Sequence, residues 1–129
     1  MERRVLVIDD EAALRRLAGE LIASWGYQVA TAEDALTGIK LLMAEPVDLV
    51  VTDYHTPRGC GLDVLGWLRS QDRGTPVFMV SGSWTEQEEA RARLMGAKTF
   101  EKPCDWGELR RQMAEALKPA SADSGRRGT

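Results

Sequence analysis

The sequence predicts an α/β protein built as an open, doubly wound parallel sheet in three layers. Three observations predict it. Short apolar runs and amphipathic helical stretches alternate five times along the 129 residues. The inner runs are apolar at consecutive positions rather than at alternate ones, as in strands covered on both faces by helices. Several runs end directly in a polar or charged residue. Strand and helix in strict alternation imply a parallel sheet joined by right-handed crossovers.

Each element follows from its own pattern. "RRVLVIDDEAALRRL" opens with four apolar residues, Val5 to Ile8, that run into Asp9, Asp10 and Glu11. Leu14, Leu17, Ala18, Leu21, Ile22 and Trp25 then recur at helical spacing, with Gly26 able to supply a left-handed cap. "YQVAT" is a short second strand. Ala35, Leu36, Ile39, Leu42 and Met43 mark the second helix, closed by Pro46. "DLVVTD" (48–53) and "PVFMVS" (76–81) are the central strands, bounded by turn residues. Between them "GLDVLGWLRSQ" is a helix with Val64, Leu65 and Leu68 inward. "TEQEEARARLMG" is a highly charged helix with little apolar face, and "KTFEK" is the last strand. Trp106, Leu109, Met113 and Leu117 trace a final amphipathic helix. Residues 1–118 form one domain; "PASADSGRRGT" (119–129) is polar, small and expected to be disordered.

Composition sets the class. A hydrophobic fraction of 43%, a charged fraction of 29%, a net charge of -3 and a pI near 5.2 describe an ordinary globular protein and argue against direct nucleic-acid binding. No apolar stretch reaches membrane-spanning length, and the run after Arg3 and Arg4 is too short for a signal peptide. The expected location is cytoplasmic. Cys60 and Cys104 are then expected as reduced thiols rather than a disulfide.

In doubly wound sheets the ligand crevice lies beyond the carboxyl ends of the strands, where strand order reverses. The first strand delivers Asp9 and Asp10 there, the third Asp53, the fourth Ser81 and the fifth Lys102. Like charges about 4 Å apart repel by roughly 4 kcal/mol at an effective dielectric of 20, so adjacent carboxylates at the mouth of a core strand call for a positive partner. Taken singly, each residue has a plainer role: Asp9 and Asp10 as helix cap and first-turn acid, Asp53 as a turn former, Ser81 as a cap, Lys102 as a surface charge. Taken together at strand ends, three carboxylates, an amine and a hydroxyl suit Mg2+ with a phosphoryl group. Asp53, alone on a central strand, is the expected nucleophile toward phosphorus, with Gly82 leaving room beside Ser81. His55 reads as a solvent-facing loop residue, and with Cys60 and Cys104 gives only a weak zinc signal. Trp25 and Trp106 read as core, Trp67 as ambiguous, and Trp84 as partly exposed.

At these residues the chain resembles the receiver domains of bacterial two-component response regulators. "VLVIDDE", "DLVVTDYHTPRGCGLDVL", "VFMVSGS" and "GAKTFEKP" carry the resemblance, spanning residues 4–104, and the helix pattern extends it to about 118. The resemblance implies a flavodoxin-like (βα)5 fold with strand order 2-1-3-4-5. It implies that Asp53 takes a phosphoryl group from a sensor histidine kinase or phosphotransfer protein and signals to a downstream partner or output domain. Mg2+ is implied to bind Asp10, Asp53 and the backbone carbonyl of His55 directly, with Asp9 acting largely through water, and Ser81 and Lys102 to hold the phosphate. A cis Lys102–Pro103 peptide is implied as well. Such a domain is not an enzyme beyond its own phosphotransfer and autodephosphorylation, and is a monomer or a phosphorylation-dependent dimer.

Two other classes remain: an aspartyl-nucleophile phosphohydrolase, which would carry a second acid where His55 stands, and a degenerate receiver used only for protein binding, which would have lost site residues. The chain also departs from the family pattern. His55 and Thr56 replace apolar residues, Cys104 replaces an aromatic after Lys-Pro, and Thr99 stands three residues before Lys102, where an aromatic is usual. The expected register puts Thr99 on that switch position and Phe100 on the opposite face, fully in the core; the alternative makes Phe100 the switch. The chain is either a stand-alone domain or an excerpt of a longer regulator.

Overall fold

The structure, a computed structural model, describes residues 2–118; the expected disordered tail, 119–129, lies outside the described residues. The order is β1 (Arg4–Ile8), α1 (Ala12–Ser24), β2 (Gln28–Ala32), α2 (Ala35–Ala44), β3 (Leu49–Asp53), α3 (Gly61–Ser70), β4 (Val77–Ser81), α4 (Glu86–Leu94), β5 (Lys98–Glu101) and α5 (Trp106–Ala116). The five strands form one sheet in the order β2-β1-β3-β4-β5, with every neighbouring pair parallel.

Strand side chains alternate between faces, and here the alternation divides the interior into two cores. Leu6, Ile8, Val50, Val77 and Met79 face Leu42, Val64, Leu65, Leu68 and Ala92 of α2, α3 and α4. Val5, Val7, Leu49, Val51, Phe78 and Val80 face Ala18, Ile22, Leu109 and Met113 of α1 and α5. Both faces of β1, β3 and β4 are therefore covered, which is why their sequences read as unbroken apolar runs. No helix among the described residues is long and apolar enough to cross a membrane.

The buried stripes on the helices are narrower than the sequence pattern implied. Leu17, Leu36 and Met43 are 42%, 41% and 65% exposed, because α1 and α2 also cover the β2 edge, where only a thin strip of each helix meets the sheet. The buried face of α2 includes Gly38, where a Cβ would overlap Ile8 Cδ1. Trp25 and Trp106 are not core residues. Both are half-buried and pack on the rim of the α1/α5 core, Trp25 with the Arg110 guanidinium 5.8 Å from its ring.

Strand β5 settles the register. Thr99 pairs with Met79 and Phe100 with Val80, so the two side chains leave opposite faces. Phe100 packs on the α1/α5 core, its ring 5.1 Å from that of Phe78. Thr99 turns to α4, accepting from Arg93 Nε at 3.0 Å and donating to Glu89 Oε2 at 2.9 Å. The expectation of full burial for Phe100 is corrected: on an edge strand the ring is half-buried. Phe100→Ala should accordingly cost about 2 kcal/mol, below the 3–5 typical of a fully buried Phe, and Thr99→Ala about 1 kcal/mol or less. Urea denaturation of the two variants checks this; equal losses would contradict the assigned faces.

Candidate functional site

The sheet order places β1 and β3 side by side while their following helices pass to opposite faces, so the crevice opens at their carboxyl ends. All five sequence-expected residues are found there. Asp9, Asp10 and Asp53 each offer a carboxylate oxygen, and these oxygens lie within 4.8 Å of one another. Asp9 and Asp53 are buried, whereas Asp10 is exposed. Ser81, buried at the end of β4, accepts a hydrogen bond from the Ser83 amide at 3.1 Å. Lys102 follows β5, its amide donating to the Ser81 carbonyl at 3.0 Å, and its peptide bond to Pro103 is cis.

Lys102 is the positive partner that the acidic cluster called for. Its Nζ lies 2.8 Å from Asp53 Oδ1 and 3.3 Å from Asp9 Oδ2. The pair most in need of it is Asp9 and Asp53, on adjacent strands, rather than the sequence neighbours Asp9 and Asp10, because Asp10 keeps its hydration. Burial pushes the Asp53 carboxyl up to about 7; the Lys102 hydrogen bond opposes this, and the neighbouring Asp9 adds to it. Burial disfavours the Lys102 ammonium, but its bonds to Asp53 and then Asp9 outweigh burial and hold its pKa above the ordinary value. Asp9 Oδ1 also accepts from the Glu11 amide at 2.9 Å, fixing the start of α1 beside the cluster.

On its solvent side the cluster opens into a cavity of about 240 Å³ lined by Asp10, Asp53, His55, Ser81, Gly82 and Lys102. The donor set consists of carboxylates; no thiol or imidazole belongs to this group, which fits a hard divalent cation of the Mg2+ kind and not zinc. The His55 imidazole faces outward, 59% exposed, with Nε2 3.9 Å from Glu88 Oε2. Cys60 and Cys104 are free thiols, both half-buried. Burial, then the Asp105 charge, pushes the Cys104 thiol up.

Other residues complete the surroundings of the site, and of these Thr85, Glu88, Arg58 and Asp34 were not singled out from sequence. A Cβ on Gly61 would sit 2.9 Å from the Asp53 carbonyl and 3.0 Å from Met79 Sδ, so a glycine lets α3 start directly against the end of β3. Thr85 and Glu88 form a capping box at the start of α4, a T-x-x-E signal visible in the sequence. Trp84, half-buried, donates from Nε1 to the Phe100 carbonyl at 2.8 Å and packs its ring 5.1 Å from that of Tyr54. Arg58 and Asp34 join the loop after Asp53 to α2, a contact across 24 residues that no local pattern announces.

A family model described as the response regulator receiver domain matches residues 5–114. The chain is 34% identical to the chemotaxis protein CheY of Treponema pallidum over 119 residues, 89% of this chain and 83% of that protein. It is 32% identical to the response regulator protein PilR of Pseudomonas aeruginosa over 117 residues, 90% of this chain but 26% of that one, so it spans about a quarter of that relative. Among solved structures, the signal receiver domain of an HD domain-containing protein from Pseudomonas fluorescens Pf-5 has a TM-score of 0.84 at 25% identity, with 98% of this chain and 95% of that one covered. The chemotaxis protein CheY4 of Vibrio cholerae shares the fold, with a TM-score of 0.82 at 22% identity over 91% of this chain and 100% of that one. The chain belongs to the response regulator receiver domain family.

Proposed function

We propose that the domain is a phosphoacceptor, taking a phosphoryl group onto Asp53 from a phosphohistidine of a sensor histidine kinase or phosphotransfer protein. The observation that carries this reading is the buried Asp53 carboxylate, bonded to Lys102 and flanked by Asp9 and Asp10 at the mouth of a cavity. Lys102 occupies Oδ1 of Asp53, which leaves Oδ2 to attack. As the new P–O bond forms, the P–N bond to the donor imidazole breaks, and the released nitrogen takes up a proton. The Lys102 ammonium and the Ser81 hydroxyl line the cavity where the phosphoryl oxygens would come to rest.

Asp9, Asp10, Asp53 and the backbone carbonyl of His55 would hold Mg2+. When bound, Mg2+ supplies two positive charges against the negative charge of the phosphoryl group. The protein is thus its own substrate rather than an enzyme acting on a free one. The signal passes to a partner or output domain in the cytoplasm, from a monomer or a phosphorylation-dependent dimer.

Two outcomes follow. Acetyl phosphate with Mg2+ should add one phosphoryl group, located on Asp53 by mass spectrometry; retained labelling in Asp53→Ala would refute the reading. The second concerns pH. An aspartate raised from 3.8 to about 7 on folding binds more protons in the folded than in the unfolded state between those values. In EDTA, stability is therefore lost as pH rises from about 4 to 7, by up to about 4 kcal/mol. Asp53→Asn should match the wild type near pH 4 and exceed it near pH 8 in urea denaturation. The same pH slope in both proteins would contradict the burial argument.

A further inference from the structure

The loop between Asp53 and α3 is anchored at both ends and in the middle. At its start the Tyr54 amide donates to the Val80 carbonyl at 2.9 Å, and the Gly61 amide donates to the Tyr54 carbonyl at 2.9 Å. At its end His55 and Cys60 form an antiparallel bridge, and the Cys60 amide donates to Asp63 Oδ2 at 2.8 Å. Its middle is fastened to another element altogether, the N-terminus of α2. The Ala35 amide donates to Thr56 Oγ1 at 3.1 Å, and the Leu36 amide donates to the Arg58 carbonyl at 3.2 Å. Arg58 Nε donates to Asp34 Oδ2 at 2.8 Å, while its Nη2 reaches Thr37 Oγ1 at 3.1 Å. Asp34 is 3% exposed, and its other oxygen accepts from the Thr37 amide at 2.7 Å.

We propose that the Arg58–Asp34 latch positions the phosphoacceptor loop for metal binding, making Arg58 and Asp34 positioning residues of the site and coupling Mg2+ occupancy to the N-terminus of α2. The inference rests on reading Asp9, Asp10, Asp53 and the His55 carbonyl as the Mg2+ site. His55 is next to Thr56, whose hydroxyl is held by α2, and three residues from Arg58. Mg2+ demands near-ideal octahedral geometry, so a carbonyl contributed by a loop serves only if the loop is held still. Arg58 is suited to this because one planar fork engages two partners at once. A buried Asp34 that lost its arginine would keep one amide partner and seek water, loosening the loop. Outer partners of metal ligands commonly change affinity by about ten- to a hundredfold. Coupling between two sites is reciprocal, so whatever Arg58 contributes to Mg2+ binding, Mg2+ returns to the α2 contact.

The test is a titration with Mg2+ alone, followed through backbone amide shifts, on the wild type, Arg58→Ala, Arg58→Lys and Arg111→Ala, the last removing an exposed ion pair with Glu108 on α5. Arg58→Ala should raise the Mg2+ Kd about tenfold, Arg58→Lys less, and Arg111→Ala not at all. Saturating Mg2+ should slow hydrogen exchange at the Ala35 and Leu36 amides in the wild type and leave it unchanged in Arg58→Ala. A latch that merely holds the fold would lower urea stability and leave the Kd of the folded variant where it was. A wild type that binds no Mg2+ at millimolar concentrations refutes the metal reading itself. A wild type that binds while both Arg58 variants bind within twofold of it overturns the inference and leaves that reading standing. Arg58→Lys, which keeps the charge, decides the matter if Arg58→Ala does not fold.

Discussion

One ammonium between two buried carboxylates sets the conditions for the rest of the site. Asp53 ends β3 and Asp9 follows the end of its parallel neighbour β1, so the sheet spacing brings their carboxylates together. On one side they adjoin an apolar cavity of about 70 Å³ between α1 and α5, lined by Leu14, Ala18, Trp106 and Leu109 among others. Lys102, brought in by the last strand, answers the resulting repulsion. Burial outweighs that partner, however, and the neighbouring Asp9 adds to it, which is why Asp53 is raised to about 7 despite a 2.8 Å bond to an ammonium. Burial and like charge thus meet at Asp53, where any change of charge acts on both.

Much of this was legible in the sequence because parallel sheets impose strong signals. A strand buried on both faces must be apolar throughout, so β1, β3 and β4 announce themselves, and the residue that ends each run must face the crevice. Asp9, Asp10, Asp53 and Ser81 follow that rule, and Lys102 holds the matching place after β5, whose own run is not apolar. Edges carry weaker signals. On β5 alternation fixed the faces of Thr99 and Phe100, but the degree of burial depends on how far α5 overhangs the edge, and the ring is half-buried rather than enclosed. Helix faces were over-read for the same reason: periodicity shows that Leu17, Leu36 and Met43 share an apolar stripe, not how wide a strip the sheet can cover. Gly38 over Ile8 and Arg58 on Asp34 are contacts between distant segments, which exist only once the sheet order brings α2 beside β1 and the loop after Asp53.

The two halves of the crevice are held by different means. On the β1 and β3 side, Asp34 caps α2 and grips the loop after Asp53, so the loop shares the stability of a helix that buries Ala35, Gly38 and Leu42. On the β4 and β5 side, α4 buries Ala92 as its one buried residue and depends on polar and aromatic ties: the Thr85–Glu88 box, the Glu89–Arg93–Thr99 cluster and the Trp84 indole on the Phe100 carbonyl. Exposed ion pairs contribute about 1 kcal/mol or less each, and elements with few buried apolar contacts are the ones that open first.

The crevice therefore has one firmly held wall and one held loosely, and Ser81 stands at the boundary. Its hydroxyl accepts from the Ser83 amide, and the next residue is Trp84, whose ring rests on Tyr54 beside Asp53. A displacement of the Ser81 hydroxyl toward the cavity would act first on the 82–84 turn and through it on α4. With Thr99 turned away into the Glu89 and Arg93 cluster, no aromatic on β5 is placed to follow such a movement on that face. Trp84, bonded to the backbone of β5 and packed against Tyr54, is the aromatic that links the end of β3 to the helix with the least core to hold it.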